Sequence, residues 1–166
     1  MKDVDQEISY MKKIILIIVI FFLDRITKIY LLELQLSGTD VDFYIYSFLN
    51  FYLVWNNSIG FGLVAMENNI YYHILTTIIV LVNFGLIFFM IKSKRIYSYL
   101  VAIIIGGSLG NLFDRIYYAA VPDFIDIHIG DFHWFVFNVA DIFITIGIIG
   151  ILCIELLKKE KSTERA

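Results

Sequence analysis

The sequence predicts an all-α membrane protein: a four-transmembrane-helix bundle with a small extracytoplasmic β-sheet or loop cap. Three observations predict this fold. Of the 166 residues, 60% are hydrophobic and the mean hydropathy is +0.79, whereas soluble domains are about 45–50% apolar. Four segments approach the roughly 20 apolar residues that a spanning helix needs. Along the chain, segments that contain Lys and Arg alternate with segments that contain neither, which is the pattern of loops on the two sides of a membrane.

The four predicted spans belong to one domain, residues 1–166, and cover residues 14–34, 70–91, 96–116 and 137–157. The second span carries no charge, but Asp24 lies within the first, Asp114 near the end of the third and Asp141 near the start of the fourth. A carboxylate at the bilayer centre costs roughly 2.5–3.5 kcal/mol on insertion scales. Repeated use of such residues indicates a function for them.

The distribution of Lys and Arg predicts the orientation. Lys12 and Lys13 precede the first span, residues 92–95 contain three basic residues, and four more follow the fourth span, whereas residues 35–69 and 117–136 contain none. The positive-inside rule therefore places both termini in the cytoplasm. The first span is expected to be an uncleaved anchor, because its apolar run continues into Asp24 without a small-residue cleavage site.

The two segments expected outside the membrane, residues 35–69 and 117–136, are predicted to contain regular structure as well as loops. Residues 42–55 are rich in aromatic and β-branched residues and predict a strand, and the residues from Asn56 to Gly62 predict a turn and a return strand. Aromatic side chains at the segment ends predict an interfacial belt, formed by Tyr52, Trp55, Tyr71, Tyr72, Tyr117, Tyr118 and Trp134.

The polar residues of the spans fall in the outer half of the membrane, at a rise of about 1.5 Å per residue. They are Asp24, Lys28, Asn111, Asp114, Arg115, Asn138 and Asp141. The inner half has no charge in the spans until Glu155. A transporter or channel needs a polar path through both leaflets, so this asymmetry favours a site that opens to the outer face.

Helical spacing predicts which of these residues meet. Asp24 and Lys28, four residues apart, form either a structural ion pair or a support for the site, and the spacing fits both. Gly107, Asn111 and Arg115 share one face of the third span. Asn138 and Asp141 share a face of the fourth, where Asn138 also fits an N-cap.

Metal binding is not expected. Asp126 and Asp131 are expected to be solvated loop residues, and His73, His128 and His133 show no spacing typical of metal ligands. The net charge of −3 argues against nucleic acid as a partner. A non-catalytic tetraspan membrane scaffold remains the alternative to an enzyme.

Four sequence blocks together resemble the lipoprotein signal peptidases (signal peptidase II). They are residues 24–28 (DRITK), 56–62 (NNSIGFG), 106–115 (GGSLGNLFDR) with 121–125 (VPDFI), and 137–141 (FNVAD). The resemblance implies an aspartic endopeptidase of the bacterial cytoplasmic membrane, with its active site on the extracytoplasmic side. It implies cleavage before the lipidated cysteine of diacylglyceryl-modified prolipoproteins. We expect a monomer in contact with membrane lipids that needs no metal or cofactor.

The resemblance also implies the site residues. Asp123 and Asp141 correspond to the catalytic pair. The supporting or substrate-binding positions correspond to Asp24, Lys28, Asn56, Gly107, Asn111, Asp114, Arg115 and Asn138. Asp114 is a third candidate for direct chemistry.

Overall fold

The computed structural model describes residues 2–57, 69–93, 96–130 and 132–163. Four helices and four strands follow one another in these ranges. In chain order they are α1 (Lys2–Leu36), β1 (Asp42–Tyr46), β2 (Leu49–Asn56), α2 (Asn69–Lys92), α3 (Ile96–Tyr118), β3 (Val121–Ile129), β4 (Phe132–Phe137) and α4 (Val139–Thr163).

Three of the helices are long and apolar enough to cross a membrane, at Tyr72–Lys92, Ile96–Tyr118 and Val139–Lys159. The predicted first span, residues 14–34 in α1, does not meet this criterion within the described residues, because charged residues interrupt its apolar sequence. The four-span count is therefore not confirmed by length and composition. The predicted helix at 137–157 begins two residues later than expected, after β4 has ended.

Helix α3 is the centre of the bundle and packs against α1, α2 and α4. In its spanning segment 56% of the residues are buried, against 11% in α2 and α4. Two glycines allow α1 to approach closely: a Cβ on Gly106 would lie 2.8 Å from the Cβ of Ile20, and one on Gly110 would lie 2.6 Å from Oδ2 of Asp24. The small residues of α3 therefore bring its backbone next to the charged part of α1.

The strands form one antiparallel sheet in the order β1-β2-β3-β4. The prediction of a single strand over residues 42–55 is wrong, because this segment folds back on itself and pairs Phe43 with Phe51. The second neighbour of β2 is β3, and β3 and β4 form a further hairpin. The predicted return strand after Asn56 falls largely on residues 58–68, outside the described ranges.

Buried apolar residues join the sheet to the helices. Leu31 of α1, Val41 and Phe124 of β3 form one cluster, each 4–5% exposed. This cluster holds β3 against α1 near the point where α4 begins, since Val139 also packs against it. The side chains of β3 therefore lie at the same end of the bundle as the polar residues of the helices.

The predicted aromatic belt is present in part. Tyr52 and Trp55 are exposed, and the Trp55 ring packs against that of Tyr118 with centroids 5.4 Å apart. Tyr72 does not belong to the belt: it is 8% exposed, and its hydroxyl donates to the Arg115 carbonyl at 3.0 Å. The side chains of Tyr71 and Trp134 lie outside the described part of the protein.

Candidate functional site

The structure brings Asp123 of β3 and Asp141 of α4 to one cavity of about 230 Å³. Asp123 is only 3% exposed. The same cavity is lined by apolar residues of α2, β3 and α4 and by five further polar side chains: Asn56, Ser108, Asn111, Arg115 and Asn138. Residues from five elements thus meet at a point that no single segment of sequence defines.

Asn138 contacts both carboxylates. Its side-chain Nδ2 donates to Oδ1 of Asp123 at 2.5 Å. Its backbone N–H donates to Oδ2 of Asp141 at 3.1 Å, and its Oδ1 accepts from the Asp141 N–H at 3.2 Å. The predicted N-cap is therefore confirmed, in the reciprocal form of a capping box. The cap that starts α4 also fixes the two aspartates relative to each other.

Two further asparagines complete the hydrogen bonding of the pair. Asn56 of β2 donates to Oδ2 of Asp123 at 2.7 Å. Asn111 of α3 donates to Oδ1 of Asp141 at 2.8 Å. Each of the four carboxylate oxygens of Asp123 and Asp141 thus accepts a hydrogen bond from an asparagine, and both side chains are held in fixed orientations.

Burial above all, and secondly the nearby charge of Asp141, raise the pKa of Asp123 from its ordinary value of 3.8 to about 7. Hydrogen bonds from Asn56 and Asn138 lower the pKa in part. The carboxyl group of Asp123 is therefore partly protonated at neutral pH. A proton on this buried carboxyl also relieves the repulsion between the two aspartates.

A cluster of four buried charges lies behind the pair. The Lys28 ammonium is 2.9 Å from Oδ2 of Asp24 and 2.7 Å from Oδ2 of Asp114. Arg25 contacts the same two carboxylates, at 3.1 and 2.5 Å. Two cations thus balance two anions, as burial of charge requires. Sequence reasoning missed Arg25, although the need to neutralise a second buried carboxylate could have pointed to it.

The charged cluster is linked directly to the catalytic candidates. Lys28 Nζ donates to Oδ1 of Asn111 at 2.9 Å, and Asn111 binds Asp141 through its other amide atom. Oδ1 of Asp24 accepts from the backbone N–H of Ala140 at 3.0 Å. The predicted pair of Asp24 and Lys28 is present, and it supports both the α1–α3 contact and the first turn of α4.

The remaining predicted residues lie around this network. A Cβ on Gly107 would be 2.5 Å from the Ala140 carbonyl oxygen, so Gly107 allows α3 and α4 to touch. Arg115 is half-buried, lines the cavity and donates to the Asn111 carbonyl at 3.1 Å. Asp114 is fully buried in the charged cluster. It does not line the cavity that contains Asp123 and Asp141.

The structure corrects the prediction for Asp126, which belongs to a second group of acidic and histidine residues. Asp126 lies on β3 and is 3% exposed, so it is not a solvated loop residue. Asp126, His128 and His133 each present a ligand atom, and these atoms lie within 4.8 Å of one another. The spacing along the sequence did not predict this proximity, because cross-strand pairing brings the residues together. His73 lies on α2, and Asp131 falls outside the described residues.

The fold and the site define a multi-pass membrane protein with two aspartates in a polar cavity, Asp123 buried and Asp141 half-buried. The profile of the family described as Signal peptidase (SPase) II matches residues 16–158, and the chain belongs to this family. The match covers every residue of the cavity and of the charged cluster.

Proteins named lipoprotein signal peptidase are similar to this chain over most of its length. The protein of Pelagibacter ubique (strain HTCC1062) is 47% identical over 155 residues, which are 93% of each chain. The protein of Anaplasma phagocytophilum (strain HZ) is 40% identical over 151 residues, 89% of this chain and 94% of that one.

Solved structures share the fold as well. One, described as a bacterial membrane enzyme determined by the in meso method at 2.3 Å resolution, has a TM-score of 0.71 and 28% identity, and covers 91% of this chain and 90% of that one. A second, described in the same way at 1.9 Å resolution, has a TM-score of 0.69 and 27% identity, over 89% and 93% of the two chains.

Proposed function

We propose that this protein is a membrane aspartic endopeptidase that removes signal peptides from diacylglyceryl-modified prolipoproteins, cleaving before the lipidated cysteine. Its family membership makes it a peptidase, and the similar proteins named lipoprotein signal peptidase support the substrate class. The aspartic mechanism is supported above all by one observation: Asp123 and Asp141 line the same polar cavity and are joined through Asn138.

The aspartate pair divides acid and base roles between two carboxyl groups. Because the pKa of Asp123 is raised to about 7, a substantial fraction of the molecules retains a proton on the pair at neutral pH. The ionised carboxylate takes a proton from a water molecule, which attacks the scissile carbonyl. The protonated carboxyl polarises that carbonyl and then protonates the leaving amine. Since the two groups titrate together, the proton belongs to the pair as a whole.

The cavity also supplies groups that can hold a peptide backbone or a lipid headgroup. Asn56 comes from the edge of the sheet, and Arg115 contributes a guanidinium group from the end of α3. The Asp24–Arg25–Lys28–Asp114 cluster has a structural role in this proposal, because its carboxylates are neutralised by ion pairs. Asp114 is therefore not assigned a direct role in the chemistry.

An apolar groove next to the pair suits the hydrophobic part of the substrate. It has a volume of about 310 Å³ and is bounded by β3, β4 and α4. Asp141 belongs both to this groove and to the polar cavity. When a signal-peptide helix or an acyl chain occupies the groove, the scissile bond would thus lie next to Asp141.

Helix α1 is proposed as the fourth span. At 35 residues it is roughly 52 Å long, more than a bilayer core of about 30 Å requires. Its charges at Asp24, Arg25 and Lys28 are buried within the protein, whereas Phe22 and Ile26 are 54% and 63% exposed. The outward face is thus apolar. Four spans place the Lys- and Arg-containing segments on one side of the membrane, and the positive-inside rule makes this side the cytoplasm. Both termini are then cytoplasmic, and the aspartates face the extracytoplasmic side.

The test is cleavage of a diacylglyceryl-modified prolipoprotein by the full chain purified in detergent. Wild type is compared with Asp123→Asn and Asp141→Asn, and with Asp40→Asn as the matched control, because Asp40 is exposed and does not line the cavity. We expect both cavity variants to fold and to lose activity, with the control unchanged. Activity retained in either cavity variant would exclude the proposed pair, and an inactive folded wild type would favour the tetraspan scaffold.

A further inference from the structure

Asp126, His128 and His133 form a cluster that the proposed peptidase mechanism does not use. Asp126 and His128 are two residues apart on β3 and therefore face the same side of the sheet. His133 is the cross-strand partner of His128 on β4. The three side chains thus converge on one face of the β3–β4 hairpin.

A shift in strand register creates this convergence. Between the pairs Ile127–Phe135 and His128–His133, β3 advances by one residue and β4 by two. In a regular ladder His133 would pair with Ile129 and point to the opposite face, because side chains alternate along a strand. The irregularity, of the kind that a β-bulge produces, turns the His133 side chain toward Asp126 and His128.

The separations within the cluster are close to those of a metal site. Nδ1 of His133 is 2.8 Å from Oδ2 of Asp126, and Nδ1 of His128 is 3.5 Å from the same oxygen. The ligands of tetrahedral zinc lie about 2.0–2.1 Å from the ion, and thus roughly 3.3 Å from one another. The separations of 2.8 and 3.5 Å lie on either side of this distance, and all three ligand atoms lie within 4.8 Å of one another, so modest side-chain movements would place them around one ion.

Burial provides an independent indication of a ligand. Within the described residues, Oδ1 of Asp126 and Nδ1 of His128 are buried without a hydrogen-bond partner, and the two side chains are only 4% and 10% exposed. Unsatisfied buried polar atoms cost about 1–3 kcal/mol each. The His133 side chain is 55% exposed, so the cluster is open to solvent on one side.

We propose that Asp126, His128 and His133 bind one zinc ion, with water as the fourth ligand. Two imidazoles and a carboxylate are a ligand set that zinc favours. The ion would fasten β4 to β3, the strand that also carries Asp123. No catalytic step is assigned to the ion, since peptide hydrolysis is assigned to the aspartate pair. The proposal does not depend on that assignment.

The experiment uses the full chain in detergent, without a polyhistidine tag and stripped with a chelator. Zn²⁺ is titrated by calorimetry, and Co²⁺ is added in parallel to record the visible absorption of tetrahedral cobalt. We expect one equivalent of Zn²⁺ to bind and to raise the Tm of wild type. His133→Ala and Asp126→Asn should weaken binding by more than about tenfold and abolish the cobalt spectrum.

His73→Ala is the matched control, because His73 lies on α2 away from the cluster, and it should bind zinc like wild type. His133→Gln replaces His133→Ala if the latter does not fold. The proposal is overturned if folded wild type binds no stoichiometric zinc, or if both cluster variants retain the wild-type affinity and cobalt spectrum. In that case the cluster is a hydrogen-bonded Asp–His group only.

Discussion

Nζ of Lys28 lies 2.9 Å from Oδ1 of Asn111, and this contact fixes the orientation of the asparagine. An ammonium group can only donate hydrogen bonds, so the amide oxygen of Asn111 must face it. The Nδ2 group is then directed to Asp141, to which it donates at 2.8 Å. A buried lysine on α1 thus controls which atom of an α3 side chain is presented to an aspartate of α4.

Replacement of Asn111 is expected to reduce kcat more than stability. Asn111→Ala removes a hydrogen bond to a charged group, which is typically worth about 1.5–3 kcal/mol, so we expect kcat to fall by about 10- to 100-fold. Asn111→Asp keeps an acceptor for Lys28 but removes the donor to Asp141 and adds a negative charge. We expect it to be at least as inactive as Asn111→Ala.

Steady-state cleavage kinetics and Tm of the two Asn111 variants check this prediction. If Asn111→Asp were clearly more active than Asn111→Ala, the hydrogen bond that Asn111 donates to Asp141 would not be the interaction that supports catalysis.

The peptidase activity is expected to fall on the alkaline side of neutrality. The pKa of Asp123 is about 7, and the mechanism requires the pair to hold one proton. As the pH rises through 7, this proton is lost and kcat/KM should decline about tenfold per pH unit. The measurement is kcat/KM against pH in one detergent. A flat profile up to pH 9 would contradict the prediction.

Stability should also depend on pH through Asp123. Its pKa is raised from 3.8 to about 7, so between these values the folded protein binds more protons than the unfolded chain. The stabilising contribution is complete below about pH 4 and is lost as the pH rises to about 7. We expect the free energy of unfolding of Asp123→Asn to vary less across this window than that of wild type.

Denaturant unfolding at a series of pH values checks this point, with Asp40→Asn as the control for loss of an exposed carboxyl group. An identical pH dependence in wild type and Asp123→Asn would contradict the raised pKa.

Loss of Lys28 should destabilise the bundle. Lys28→Met keeps the shape of the side chain but leaves Asp24 and Asp114 with Arg25 as their partner. Breaking a buried ion pair from one side costs about 3–5 kcal/mol. The double variant Lys28→Met/Asp114→Asn restores neutrality and should be more stable than Lys28→Met alone. Thermal unfolding in detergent measures both, and a double variant less stable than the single one would argue against charge balance.

The contact between α3 and α4 makes Gly107 sensitive to substitution. A Cβ there would lie 2.5 Å from the carbonyl oxygen of Ala140, so Gly107→Ala should push the helices apart next to Asp141 and lower both Tm and activity. Gly85→Ala is the matched control: no heavy atom other than the neighbouring backbone of its own helix lies within 4 Å of its Cβ position in α2, and alanine is favoured over glycine in helices by about 1 kcal/mol. Equal effects of the two substitutions would contradict the role of close packing.

Local patterns predicted the helical part of the site correctly. The pairing of Asp24 with Lys28 and the cap of α4 by Asn138 depend on residues three or four apart in one chain segment. Such contacts follow from helical geometry alone. The resemblance of short blocks to a known family added Asp123, which spacing by itself did not distinguish from a loop residue.

The sequence by itself thus determined the apolar helices, the positions of polar residues along them and the local pairs within them. Only the tertiary structure decided the strand order, the link from Lys28 to Asn111, the inclusion of Arg25, and the convergence of Asp126 with His133. The physical reason is that helical periodicity is set by neighbouring residues. Strand register and charge neutralisation instead depend on partners distant in sequence, and a shift of one residue moves a side chain to the other face.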